Sequence, residues 1–217
     1  MNLELDHVFI LVKPEARVAN LLIAKGFEEG TRNIHPGQGT SNRRFFFSNG
    51  MLELIWIRNA QEAQNGAGRD LLLPERDTNT TASPFGVILR RKDSIDSQSS
   101  KMPFDGWSYQ PTYFEPPNAF HVGANSINIS EPLCIYVPFT LPKSSVNQEK
   151  INSSFAISNV CIHTPSADRN EVLEAVDRAD RLSIQYGQEH LMEIVLNDRS
   201  TKKIVDFRPQ IPLIMYW

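Results

Sequence analysis

The chain has 217 residues, of which 41% are hydrophobic and 22% charged, enough to bury a sizeable core in one large domain or in two halves sharing an interface. A formal net charge of -3 supplies no concentrated positive field, which argues against sequence-independent nucleic-acid binding. No apolar run reaches bilayer-spanning length, and the N-terminus, with Glu4 and Asp6, lacks the basic-then-apolar layout of a secretory signal. A cytoplasmic protein with no membrane partner is expected.

The two cysteines, Cys134 and Cys161, each lie in an apolar strand-like run (LCIYV and NVCIH), which suits buried thiols better than a disulfide framework. In chain order, LELDHVFILV (3–12) reads as a short apolar strand interrupted by Glu4, Asp6 and His7. Ala16, Ala19, Leu22 and Ile23 then recur at helical spacing after Pro14, and Gly26 stands where a helix end takes a left-handed residue, predicting a helix of about three turns. Phe27 begins a short strand that leads into the loop TRNIHPGQGTSN, dense in turn formers. RRFFFSN and MLELIWIR are two strands, separated by Asn49–Gly50, the dipeptide suited to a tight hairpin with positive φ at both centres.

Residues 59 to 82 read as a polar surface connection. FGVILRR, WSYQPTYF and LCIYVPF look like strands, confined by nearby prolines to edges or irregular segments. A polar stretch over 141–150 reads as a linker. From Ile157 the opening order returns: ISNVCIHTP as a strand, ADRNEVLEAVDRAD as a helix with Ser166 as its cap, then LSIQY, HLMEIVL and IPLIMYW. Strand, helix and three strands therefore occur twice, which predicts an α+β fold of paired βαβββ modules. The first module spans 1–58, followed by an irregular β insert over 59–140, and the second, degenerate module spans 151–217.

Taken together, LDHVFILV, HPGQGTSNRRFFF, MLELIWI, SPFGVILRR and EPLCIYVPF resemble the glyoxalase-like domain proteins of the vicinal oxygen chelate superfamily. The resemblance covers roughly residues 3 to 140 and continues in the ending DFRPQIPLIMYW. It implies two βαβββ modules curved into an open half-barrel, with helices on the outer face, around a divalent metal. The first strand of a module supplies a His or Gln and its last strand a Glu, the places held here by His7 and Glu53.

Alternation along a strand independently makes His7 a lone polar group beside Phe9 and Leu11, and Glu53 one beside Ile55 and Ile57. Imidazole and carboxylate suit Zn, Mn, Fe, Co or Ni, and Glu53 would also act on a substrate; alternatively the two hydrogen-bond to each other or to buried water. In the second module Asn159 stands opposite His7, a poor transition-metal ligand but a candidate substrate contact, while Glu193 falls on a third strand rather than a fourth. Four protein ligands are therefore not visible.

His35, Gln38 and Asn42, in the HPGQGTSN loop, offer polar groups to a substrate, and Gly37 and Gly39 permit close backbone approach; the same loop also reads as a plain surface turn. One of Arg43 and Arg44 must point inward. Arg44 is the candidate for a substrate carboxylate or phosphate, or for a salt bridge to Glu53 or Asp6. Trp56, Trp107, Tyr109, Tyr113 and Tyr136 either wall the cavity or pack in the core. Cys161 and His163 point alike on one strand face, which argues against a nucleophile–base pair.

Three functions follow: a divalent-metal lyase, isomerase, hydrolase or dioxygenase of glyoxalase type, a metal-free protein that binds or sequesters a small organic molecule, or a structural or partner-binding module with a vestigial pocket. Each would be a monomer or homodimer.

Overall fold

The computed structural model describes residues 2–92, 101–139, 152–166 and 170–217; the expected linker over 141–150 lies outside them. The first strand, β1 (Leu3–Leu11), is followed by α1 (Ala19–Ala24), β2 (Asn33–His35), β3 (Thr40–Phe47) and β4 (Gly50–Ile57). Strand β1 pairs parallel with β4, which pairs antiparallel with β3, which pairs antiparallel with β2. That is one βαβββ module, as the hydrophobic pattern predicts.

Its partner differs from the expectation. After α2 (Ala60–Asn65) and α3 (Leu73–Thr78) come β5 (Phe85–Arg91), β6 (Gly106–Tyr109), β7 (Phe120–Gly123) and β8 (Leu133–Tyr136). These repeat the first module's pairing: β5 runs parallel to β8, β8 antiparallel to β7, and β7 antiparallel to β6. An antiparallel β1–β5 pair joins the halves into one eight-stranded sheet, ordered β2-β3-β4-β1-β5-β8-β7-β6. The stretch expected to be an irregular insert therefore completes the first sheet. The prolines that obscured it lie outside the four strands, in the connections between them.

The C-terminal third contributes β9 (Ile157–Thr164), α4 (Glu171–Asp177), β10 (Leu182–Tyr186), β11 (Leu191–Leu196), β12 (Ile204–Asp206) and β13 (Leu213–Tyr216). They form a second open sheet ordered β10-β9-β11-β13-β12. Its plan is a shortened copy of the first, with an antiparallel central pair, β9–β11, flanked by the parallel neighbours β10 and β13. Both central pairs shift register at the same place, between Leu5 and His7 and between Ile157 and Asn159.

The main core lies between the sheets. Val8, Ile10, Leu52, Leu54, Val87 and Leu89 of the first sheet meet Val160, Ile162, Met192, Ile194, Leu213 and Met215 of the second, with Leu22 from α1 and Val176 from α4. Each fully buried side chain of this size contributes roughly 1.5–3 kcal/mol relative to exposure. A second apolar cluster covers the opposite face of the first sheet: Phe9, Leu11, Ile55, Ile88, Leu133 and Ile135, capped by Leu71, Leu73 and Tyr109.

Several local expectations change. The segment 59–82 is not merely a polar connection, because it carries Leu71, in the 3-10 turn Arg69–Leu71, and Leu73, at the start of α3, onto that second cluster. The first helix is shorter than predicted: Glu15 and Ala16 adopt positive φ and break it, and Arg43 donates to the Ala16 carbonyl. Gly26 does take the left-handed conformation. Phe47 pairs with Gly50, so the β3–β4 turn is Ser48–Asn49 and carries no positive φ. Asn49 instead receives the Ile157 amide at 2.7 Å and donates to the Ile157 carbonyl at 3.0 Å, docking the turn on the second sheet. The cap of α4 is Asn170, whose side chain accepts from the Leu173 amide, rather than Ser166. Among the described residues no helix is long and apolar enough to cross a membrane.

Candidate functional site

The register shift under β1 re-aims its side chains, as bulges beside functional sites do. Asp6 and His7, although adjacent, turn together, and His7 Nδ1 lies 2.6 Å from Asp6 Oδ1. The Leu5 carbonyl next to the shift accepts from Arg181, the turn residue before β10, at 2.6 Å. His7 Nε2 is left facing Glu53 Oε2 at 4.0 Å. A histidine with one nitrogen held by a carboxylate presents the other in a fixed tautomer and orientation.

On the adjacent β3, Asn42 is fully buried and donates to Glu53 Oε1 at 2.8 Å, while its own oxygen accepts from the Asn33 amide at 2.8 Å. Asn42 therefore positions the carboxylate rather than reaching outward. His35 Nδ1 lies 2.9 Å from Thr40 Oγ1, and its Nε2 lies 3.5 Å from Asn42 Nδ2. Gln38 bridges Thr40 at 2.8 Å and the Tyr109 hydroxyl at 3.2 Å. The Tyr113 ring tilts over His35 with centroids 5.8 Å apart.

Electrostatics separate the two imidazoles. Burial pulls His7 down, but the Asp6 hydrogen bond and the charges of Glu53 and Asp6 outweigh it and raise its pKa. Burial lowers His35 and Glu53 does not compensate, so His35 is held toward its neutral form. Burial, Tyr109 and then Glu53 push the Tyr113 hydroxyl well above the usual phenol range, keeping it a hydrogen-bond donor.

Arg44 pairs directly opposite Glu53 across β3–β4, on the site face, where it stacks 5.0 Å over Phe46 and donates to the Thr31 carbonyl at 2.5 Å. Arg43 points the other way, buried in a forked ion pair with Glu29 and donating to Asn20. The strand therefore puts Arg44, not Arg43, beside His7.

The structure thus brings together His7, Glu53, His35, Gln38, Asn42 and Arg44. It does not bring Asn159 to them. Asn159 lies on β9, at the place in the second sheet that His7 holds in the first. Tyr109 and Tyr113 belong to the site; Tyr136 packs in the inter-sheet core and Trp56 against it. Asp6 was missed as His7's partner, because strict alternation puts neighbouring residues on opposite faces and no sequence signal marks the bulge.

Gly39, at φ +72, turns toward the chain's own backbone rather than a ligand: an added β-carbon would stand 2.4 Å from the Ala63 nitrogen. A cleft of about 730 Å³ opens elsewhere, lined among others by Arg76, Asp77, Asn79, Ser130, His190 and Pro212. Arg76 is already donating there to the Ser83, Ile129, Glu131 and Ser126 carbonyls, a bracing role.

As the sequence indicates, a complete set of four protein ligands is not found around His7 and Glu53. On the second half of the sheet, the outer-face positions of β5 and β8 are Gly86, Ile88, Leu133 and Ile135, and Ile88 stands directly opposite His7. Among the described residues, the three His, Cys, Asp or Glu donors whose ligand atoms all lie within 4.8 Å of one another are found on the other sheet.

An α+β chain with paired strand modules and a His/Glu pair on the first and last strands of one module has the layout of a glyoxalase-type protein. The glyoxalase-like domain family matches residues 5–114, just over half of the chain, and the chain belongs to that family. Its fold is similar to the crystal structure of a hypothetical protein from Staphylococcus aureus, with a TM-score of 0.62 at 12% identity over 98% of both chains. Methylmalonyl-CoA epimerase from Mycobacterium tuberculosis gives a TM-score of 0.40 at 14% identity, over 66% of this chain and 91% of that one. No curated protein matches the sequence.

Proposed function

We propose that the protein binds a small organic molecule bearing a carbonyl or carboxylate group, and that His7, Glu53 and His35 hold and move a proton on it. The observation that carries this reading is the pair of imidazoles around one carboxylate, His7 pushed toward the charged form and His35 toward the neutral form. Titratable groups pushed apart by their surroundings are how one site supplies both an acid and a base. His7, clamped by Asp6, is the donor; Glu53, aligned by Asn42, is the acceptor, with the neutral His35 beside it as the second base; Arg44 takes the anionic oxygen in a forked contact. The tyrosine hydroxyls of Tyr109 and Tyr113 orient the ligand, and Phe9, Leu11 and Ile55 exclude water from its apolar part.

The reaction class best matched is a proton shift beside a carbonyl. The lyase, hydrolase and dioxygenase readings need a metal-held oxygen, for which His7 and Glu53 offer two donors and the facing strands none. Binding without turnover is the second reading, favoured by the apolar strands β5 and β8 that complete this face.

A thermal-shift screen of small carbonyl and carboxylate compounds, followed by NMR of each hit in D2O, tests the proposal. Stabilising hits should lose affinity in Arg44→Ala. Exchange of a carbon-bound proton should require His7 and Glu53. Binding that is indifferent to Arg44→Ala, His7→Ala and Glu53→Gln alike would overturn the reading; binding without exchange would leave the second one.

A further inference from the structure

The outer face of the second sheet carries a cluster that the site above does not use. Cys161 and His163 lie two apart on β9, so both point to that face, and Glu193 on β11 pairs directly opposite Cys161. Cys161 Sγ is 3.6 Å from His163 Nε2, and His163 Nε2 is 3.0 Å from Glu193 Oε2. All three ligand atoms fall within 4.8 Å of one another.

The Cys161–His163 separation is that of two ligands on a tetrahedral ion, and His163 and Glu193, hydrogen-bonded to each other, need to part by only a few tenths of an ångström to match. With Zn–S near 2.3 Å and Zn–N and Zn–O near 2.0–2.1 Å, tetrahedral angles put sulfur and nitrogen about 3.5 Å apart and nitrogen and oxygen about 3.3 Å apart. The cluster is also braced from behind. Tyr216 on β13 donates to Glu193 Oε1 at 2.5 Å, which leaves Oε2 for the centre, and Arg199 stacks 4.2 Å over the Tyr216 ring. Gly187 leaves room for the imidazole, since a β-carbon there would stand 2.8 Å from His163 Cβ. Cys161 is buried, while the side chains of His163 and Glu193 are 21% and 25% exposed, so an ion has an approach from their side.

We propose that Cys161, His163 and Glu193 form a divalent-cation site selective for zinc, with a fourth position open to water or a small ligand. One thiolate, one imidazole and one carboxylate suit Zn2+ and Co2+ far better than Mg2+ or Ca2+. A thiolate ligand must give up its proton to the solvent on binding, so uptake strengthens with rising pH.

Cobalt titration of the reduced, metal-stripped full chain provides the test, because only a cysteine-bound cobalt gives a thiolate-to-metal charge-transfer band. One equivalent of Co2+ should produce that band, and Zn2+ should abolish it. Cys161→Ser should remove it, and His163→Ala and Glu193→Gln should each weaken cobalt binding by tenfold or more. Cys134→Ser and His7→Ala should leave it unchanged, which separates this site from the first. No band at stoichiometric cobalt, a band that survives Cys161→Ser, or unchanged affinity in both His163→Ala and Glu193→Gln would overturn the proposal. The two half-exposed positions keep the test decisive if Cys161→Ser fails to fold.

Discussion

Phe9 lies across Gly86 at the seam of the two modules, so closely that a β-carbon at Gly86 would stand 1.9 Å from the ring. The two residues pair directly in the antiparallel β1–β5 ladder. The ring therefore fills the seam of the outer face, within the apolar cluster that it shares with Ile88, Leu133 and Ile135. Gly86→Ala has to displace Phe9 or the strand. A loss of about 1–3 kcal/mol is expected from overpacking alone, read as a lowered midpoint in urea with little change in slope; an unchanged midpoint would contradict this packing.

The imidazoles give a pH signature. Both should appear in an NMR titration, His7 above the ordinary histidine value and His35 below it. The raised His7 contributes stability that is complete below its unfolded pKa, about 6.5, and is lost as pH rises through the folded value. Asp6 is depressed, its His7 and arginine contacts outweighing burial, so its contribution is present above its unfolded pKa and disappears as pH falls through the folded one. Asp6→Asn should drop the His7 pKa and reduce stability between those limits, while a His7 titration untouched by Asp6→Asn would rule out the clamp.

Neighbouring arginines should behave oppositely. Glu29→Ala leaves Arg43 buried without its carboxylate, and breaking such a pair from one side costs about 3–5 kcal/mol. Arg44→Ala, on the other face, should change chemical denaturation little and ligand affinity strongly. Equal effects on stability would mean that the two faces have been misassigned.

Docking of the sheets can be probed at Asn49. Asn49→Ala strips the partner from both the amide and the carbonyl of Ile157, and a buried backbone group left unpaired costs about 1–3 kcal/mol. Hydrogen exchange at the Ile157 amide should accelerate with it; unaltered protection there would mean that another group holds the edge of β9.

Much of this was legible in the sequence where local chemistry is decisive. Alternation along β1 and β4 marked His7 and Glu53 as lone polar groups on one face, and they do face each other. The two openings LDHV and ISNV were matched correctly in kind, since His7 and Asn159 follow the same register shift in their two sheets.

What sequence alone determined is periodicity: which residues form strands, which side of a strand each occupies, and that one arrangement recurs. What only the tertiary structure decided is partnership. Short strands among prolines carry no signal of which edge they join, so β5 to β8 were not recognised as the second half of the first sheet. Likewise a bulge, invisible in composition, gave His7 its Asp6, and an antiparallel register between β9 and β11 placed Glu193 beside Cys161 and His163. Pairings between distant strands are set by the whole burial pattern, and no local stretch of sequence contains that information.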